Sequence, residues 1–469
     1  MSLQSFLSSL PEVKGPLEKN LPFNTRLKWT LIILLAFFVL SYIPLAGLSV
    51  NALEQFEFLS IILGAKFGSV LSLGIGPIVT ASIVLQLLVG SGLLKLDMTK
   101  PDGRTTFQGL QKVLTVLFII FEAAVYVFMG GLSPDASLPP NGFFIMQLFL
   151  TAQLFVGGIL IMLMDEVVQK YGFGSGVSLF IVAGVASQVM IRAFSPLTSA
   201  GALAFGSGQP ATGAVWVIFS SFISGDPKSA FIAASGIIAT LVIFGLCVYA
   251  QAMKVEIPLT FGRIRGYGIR WPLNFLYTSN IPVILVAALI ANIQLTARLL
   301  QNWGFPIFGT FAGESPASGL VLWLDSPQIL TKLFTSSLVW ADIAHALTYT
   351  IVMIIGAVIF SIFWMQTTNL DAKNQAKQMM ASGLQIPGFR KDQRVLETLL
   401  GRYILPLTIM GAIAVGLLAA GADLLGALSR GTGILLAVMI VYKLYEDISR
   451  KHMADMYPAL RKMMGGLKC

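Results

Sequence analysis

A chain of 469 residues that is 56% hydrophobic and only 11% charged is too apolar to be a soluble globular domain, since such domains carry roughly a quarter charged residues. Its mean hydropathy of +0.81 and net charge of +9 point instead to an integral membrane protein with basic segments outside the lipid. Strand-like alternation is absent, which excludes a membrane barrel and leaves an all-α polytopic protein.

The first twenty residues, "MSLQSFLSSLPEVKGPLEKN", hold no long apolar core and no small-residue cleavage site, so no cleaved signal peptide is expected. They read either as a short amphipathic surface helix ended by Pro11 or as a disordered leader. Ten apolar runs follow, at about 27–46, 73–94, 108–130, 143–164, 176–194, 231–253, 275–297, 343–365, 403–422 and 432–448. Each is long enough to predict a membrane-spanning helix.

Between the first two runs the pattern breaks. "FLSIILGAKFGSVLSLGIGPIVTASIVLQLL", Phe58 to Leu88, is interrupted by Gly64, Gly68, Gly74, Gly76 and Pro77. The apolar stretch from Glu54 to Phe67 would make a helix of only about 21 Å, too short to span. Irregular backbone at membrane depth is tolerated only inside protein or beside a water-filled cavity. The segment therefore reads as a re-entrant half-helix that dips in from outside and hands over to the second span. The alternative is a surface helix on the outer leaflet.

Glu122 is the only acidic residue well inside a predicted span, and intramembrane ionisable residues default to a functional hypothesis. Counted from the cytoplasmic ends, Glu122 in the third span, Thr80 in the second and Asn292 in the seventh each lie about 22 Å along their helices. That count predicts a polar cluster at one level in the outer half of the membrane. The alternative is a Glu122 bonded only to a neighbouring carbonyl.

The longest low-charge connection, about 195–230, divides the chain into residues 1–195 with five spans and residues 231–469 with five more. Five spans per half place the second half in the membrane upside down relative to the first, the layout of inverted repeats. Of the 31 Lys and Arg residues, 25 fall on segments that are cytoplasmic if the N-terminus is inside, 5 fall outside, and Lys66 sits in the broken segment. This bias predicts both termini in the cytoplasm. Two cytoplasmic loops concentrate it: Arg263, Arg265 and Arg270 in "GRIRGYGIRWP", and Arg390, Lys391 and Arg394 in "GFRKDQR". Such loops set topology, touch anionic lipids, or dock a large anionic partner. Cys247 and Cys469 make no disulfide framework or metal site. No nucleotide-binding loop and no catalytic constellation is found, so no cofactor and no enzymatic activity are expected.

Five separated motifs then carry a resemblance. "LGIGPIVTASIVLQLLVGSG", "KYGFGSGVSLFI", "VYAQAMKVEIPLTFGRIRGYGIRWPLNFLYTSNIPVILVAALIANIQ", "GLQIPGFRKDQRVLETLLGRYILPLT" and "GTGILLAVMIVYKLYEDI" resemble, in this order, segments of the SecY family, the channel subunit of the Sec translocon, in its archaeal form. The resemblance covers nearly the whole chain and implies a passive protein-conducting channel. Such a channel translocates unfolded polypeptide and releases apolar segments sideways into lipid. It implies that the broken segment, about 54–67 with Ile61, Ile62, Leu63, Gly64, Phe67 and Gly68 at its end, is the plug. It implies a pore ring of Ile75 and Val79, Val177 and Ile181, Ile284 and Leu436. Both same-helix pairs are four residues apart, hence on one helical face. It places Thr80, Glu122 and Asn292 beside the plug, and a lateral gate between spans two and three and spans seven and eight. It also implies the partners: a SecE-type small subunit, a third small subunit, the ribosome on the two basic loops, signal-sequence-bearing nascent polypeptides and membrane lipid, all at the plasma membrane. The competing class is a secondary transporter, which also uses broken helices and inverted repeats. No charge lies deep in a span of the second half to ligate a coupling ion.

Overall fold

The computed structural model describes residues 12–16, 21–51, 64–90, 93–94, 96, 101–135, 137–198, 203–204, 210–261, 268–278, 281–302, 304–312, 315–327, 329–368, 370–381, 384–385, 392–429 and 431–456. Five long helices form the first half: α1 (Phe23–Ser41), α2 (Gly76–Gly90), α3 (Pro101–Phe128), α4 (Pro140–Tyr171) and α5 (Gly176–Phe194). A two-strand bridge of β1 (Val50–Asn51) and β2 (Leu132–Ser133) ties the segment after α1 to the end of α3. A short apolar helix, α6 (Ala214–Ser224), precedes the second half. That half contains α7 (Pro227–Ala252), strands β3 (Lys254–Phe261) and β4 (Gly268–Asn274), α8 (Ile281–Asn302), β5 (Gly309–Ala312), β6 (Ser315–Gly319), α9 (Leu320–Trp323), α10 (Ile329–Phe334) and α11 (Trp340–Thr367). It ends with α12 (Ala372–Ala381), β7 (Leu384–Gln385), α13 (Gln393–Leu424) and α14 (Gly431–Met456).

Among the described residues, eight helices are long and apolar enough to cross a membrane. The other two of the ten predicted spans are α2, only 15 residues long, and α14, whose second half turns polar at Glu446 and Asp447. Several helices outrun the predicted spans. The fourth and ninth runs end near the membrane surface, yet α4 and α13 each continue to 32 residues. Hydropathy marks only the length that lipid covers, whereas helical hydrogen bonding continues into water. The helix of the seventh run, α8, starts six residues into that run, because Phe275 to Thr278, which follow strand β4, form a bend and turn.

Within the first half α1 packs on α4 and α5, α2 on α3, α3 on α4, and α4 on α5. Within the second, α8 packs on α11, α11 on α13, α13 on α14, and α14 on α7. The halves meet along two lines, α5 against α14 and α2 against α11. Close approach is permitted by small residues, as is usual between membrane helices. A Cβ on Gly158 of α4 would stand 2.6 Å from Ile119 of α3. One on Gly416 of α13 would stand 3.0 Å from the Ile354 backbone of α11.

The two basic loops contain an antiparallel sheet that hydropathy did not reveal. β3 pairs with β4 as a hairpin, and β7, from the loop between α11 and α13, joins its edge through Thr260–Gln385 and Phe261–Leu384. Ile257 and Leu273 from the hairpin are buried with Met379 of α12 and Leu396, Leu400 and Ile404 of α13. The two loops thus form one packed body at the ends of α7, α8 and α13.

Candidate functional site

Gly64 to Ile75 is a succession of turns rather than a helix. Gly64, Gly68 and Gly74 have φ of 52°, 90° and 56°, a left-handed backbone that side chains other than glycine rarely adopt. The turns are closed by hydroxyls. The Gly68 amide donates to Ser72 Oγ at 2.9 Å, and Ser69 Oγ donates to the Lys66 carbonyl at 2.7 Å. The run is fastened to the chain after α1, where Leu45 N donates to Gly68 O and Val70 N to Ile43 O. It is pressed into the first half: Leu71, Leu73 and Ile75 are all buried. Gly157 of α4 faces Val70 so closely that a Cβ there would be 1.9 Å from the Val70 carbonyl oxygen.

The predicted plug falls partly here. Ile61, Ile62 and Leu63 lie outside the described residues, as does 52–60. Gly64 rests against the backbone of Phe180, where a Cβ would be 3.5 Å from the carbonyl carbon. Phe67 is buried edge-on to Tyr126, with ring centroids 6.2 Å apart. Phe67 shares a cluster with Leu73, with Ile119 and Ala123 of α3, and with Ala291 and Leu295 of α8. The end of the broken segment therefore touches both halves.

All six predicted ring residues belong to one other cluster. Ile75, Ile181 and Leu436 are buried in it, and Val79, Val177 and Ile284 pack against it half-buried. They come from the turn just before α2 and its first helical turn, and from α5, α8 and α14, so both halves contribute. Phe37 of α1 stacks on Phe180 at 4.7 Å behind the group.

The start of α5 is held by a residue that sequence reasoning missed. Asp165 of α4 is buried, and its carboxylate accepts from Val177 N at 3.0 Å and from Gln169 Nε2 at 2.7 Å. Gly176 has no room for a side chain, since a Cβ would stand 2.6 Å from Asp165 Cα. The signal was present in the glycine run "GFGSG" before a helix, a sign of close backbone approach. Asp165 itself lies one residue beyond the predicted fourth span. Nearby, Glu166 bridges Lys112 at 2.9 Å and Lys170 at 3.0 Å, and Lys170 also reaches Glu12 at 2.6 Å. The Lys170 ammonium holds the Glu12 carboxyl below the usual carboxylate range.

The predicted polar cluster assembles only in part. Thr80 Oγ1 lies 3.4 Å from Glu122 Oε1, but its shorter bond, 2.9 Å, goes to the Gly76 carbonyl. Asn292 is exposed, and among the described residues no hydrogen bond joins it to Thr80 or Glu122. Depth counting gives height along a helix but not direction around it. On α8 the buried stripe is Ala288, Ala291 and Leu295, whereas Asn292 falls on the exposed stripe with Leu289 and Thr296.

Of the basic residues, Arg270 is exposed on β4 and paired with Glu256 at 3.2 Å. Arg394 is exposed at the start of α13, its amide accepted by the capping Asp392 at 2.9 Å. Arg263, Arg265, Arg390 and Lys391 lie outside the described residues.

A profile of the SecY family matches residues 69–445, and one for the plug domain of Sec61p matches residues 35–68. The protein translocase subunit SecY of Methanothermobacter thermautotrophicus is 43% identical over 466 residues, 98% of each chain. That of Pyrococcus furiosus is 41% identical over 466 residues, 97% of each chain. Among solved structures, one described as the structure of a protein conducting channel aligns with a TM-score of 0.80 at 39% identity, over 98% of this chain and 99% of that one. Sec61 in the canine ribosome–channel complex from the endoplasmic reticulum aligns with a TM-score of 0.78 at 38% identity, again over 98% and 99%. Both the profile, which spans most of the ten-helix body, and the relatives, which match from end to end, lead to one conclusion: the chain belongs to the SecY family.

Proposed function

We propose how this chain's own residues carry out the function of the family, a passive protein-conducting channel that passes unfolded polypeptide and releases apolar segments sideways. The reading assigns the seal to Ile75, Val79, Val177, Ile181, Ile284 and Leu436. Bulky aliphatic side chains at one constriction exclude water and hence ions, and yield to a polypeptide because nothing polar binds them together. The observation that carries it is their membership of one cluster drawn from both halves, with the end of the plug segment at Phe180 beside Ile181. The test is conductance in planar bilayers. Ile75→Ser with Ile181→Ser should give a standing ion current, and an unchanged baseline would remove these residues from the seal.

No catalytic or cofactor role is assigned; the driving force comes from partners. The sheet that joins the two basic loops supports a ribosome-docking face carrying Arg263, Arg265, Arg270, Arg390, Lys391 and Arg394. Arg263→Glu with Arg265→Glu should weaken ribosome binding and flatten its salt dependence, and unchanged affinity would assign the pair to topology alone. An apolar groove of about 520 Å³ between α5, α7 and α14, lined by Val185, Val189, Phe244, Val248, Val438 and Tyr445, supports a SecE-type helix seated against both halves. Copurification of a SecE-type subunit and a third small subunit tests the heterotrimer. Both termini are assigned to the cytoplasm on the charge bias, which protease protection in sealed vesicles checks, and the plasma membrane is assigned on the family resemblance.

A further inference from the structure

α6 was hidden in the connection between the halves because its 11 residues, about 16 Å, are too few to span. Its sequence, "AVWVIFSSFIS", has no charge. It begins where α5 ends: Gly213 N donates to Ser195 O at 3.0 Å, and the Trp216 ring N–H donates to Phe194 O at 2.8 Å. It stops at Gly225, whose φ of 71° reverses the chain, and packs back on α7. α7 has 26 residues, about 39 Å, against a hydrocarbon core of about 30 Å.

The outer side of this helical hairpin is apolar and uncovered. Phe222 is 76% exposed and Ile223 89%, and Phe219 and Phe231 are exposed beside them. α10 also packs on α7 and leaves Leu333 exposed. A contiguous patch of this kind on a soluble surface would mark a binding site. Here it adjoins the outer end of α5, where Ile191 and Phe194 are exposed. Within the hairpin, charge appears only at the turn: Asp226 accepts from Lys228 N at 3.2 Å and from Ser229 Oγ at 2.6 Å, and Lys228 is exposed. An uncharged helix beside a span, with its charges confined to one end, has the make-up of a segment sunk to its polar rim in lipid.

We propose that the α6–α7 hairpin is an interfacial anchor whose exposed face, centred on Phe222 and Ile223, is occupied by outer-leaflet lipid rather than by water or protein. The anchor lies in the connection between the halves, so it fixes the height of that connection without joining any helix of the gate. It stands on the exposure and composition of this hairpin and is independent of the residues assigned to the seal.

The test uses the full chain with its copurified small subunits in phosphatidylcholine–phosphatidylglycerol vesicles. Ile223→Cys, in a background with Cys247→Ser and Cys469→Ser, is spin-labelled, with Lys228→Cys as the reference at the rim. Collision with oxygen should exceed collision with a water-soluble nickel chelate several-fold at 223, and the ratio should reverse at 228. Nickel-dominated relaxation at 223 would place the hairpin in water. Shielding from both relaxers would mean that protein covers it. Either result overturns the proposal.

Discussion

Gly157 has no side chain, and the Val70 carbonyl takes that space. The contact joins α4 to the turns that precede α2 and so sets how deeply Leu71, Leu73 and Ile75 sit. Gly157→Ala puts a methyl group 1.9 Å from that oxygen. The turns must move, at a cost of about 1–3 kcal/mol for overpacking. The expected outcome is a raised resting conductance with the chain still inserted. Asp165 acts at the start of α5, where Val177 packs against the cluster that holds Leu71 and Ile75. Asp165→Ala leaves the Val177 amide without its carboxylate, a loss of about 0.5–2 kcal/mol for a helix cap, and frees the start of α5. Asp165→Asn keeps an accepting oxygen. Single-channel recording should therefore rank leak as Ala above Asn above the parent. Equal leak in both variants would show that charge, not the hydrogen bond, positions Val177. Neither contact was legible in the sequence as a pair. Glycine spacing announces that something comes close but does not say what. Asn292 shows the converse limit, since its height was countable and its direction around α8 was not.

At the scale of elements, the long spans were legible because burial in lipid writes itself directly into composition. The turns before α2 were legible for a related reason: five glycine or proline interruptions within an apolar run leave no continuous helix. The β3–β4–β7 sheet was not, because "KVEIPLTF" lies beside basic residues and the third strand, β7, comes from more than a hundred residues away. The broken segment itself yields a prediction. Residues 64–75 are fastened by backbone bonds to residues 43 and 45 and by buried side chains. Deleting 57–67 removes what precedes that anchorage, together with Phe67, and leaves the start of α2 in place. Ion leak should rise while protein translocation persists, because displaceable parts belong to the low-stability end of a structure. Leak indistinguishable from the parent would return the segment to the outer surface.

For the whole molecule, the question is how a body with two halves opens sideways without coming apart. The α5–α14 line has a broad apolar packing in which Val185, Leu436 and Met439 are buried. The α2–α11 line is slighter, and above it Ala123 of α3 shares a cluster with Ala291 of α8. Small side chains make a seam that closes tightly yet loses little area when parted. Burial is worth about 25 cal/mol per Å² of apolar surface, and an incoming apolar helix supplies replacement area. We therefore predict that a seam of this composition opens to a signal sequence and reseals while the α5–α14 line stays shut. The test joins the seam across its small residues, with Ala123→Cys and Ala291→Cys and with Cys247 and Cys469 replaced by serine. A short cross-linker should abolish translocation, and a long flexible one should restore it. Efficient short cross-linking with transport at the parental rate would move the exit to another pair of helices, and the α5–α14 line would then be the first to examine.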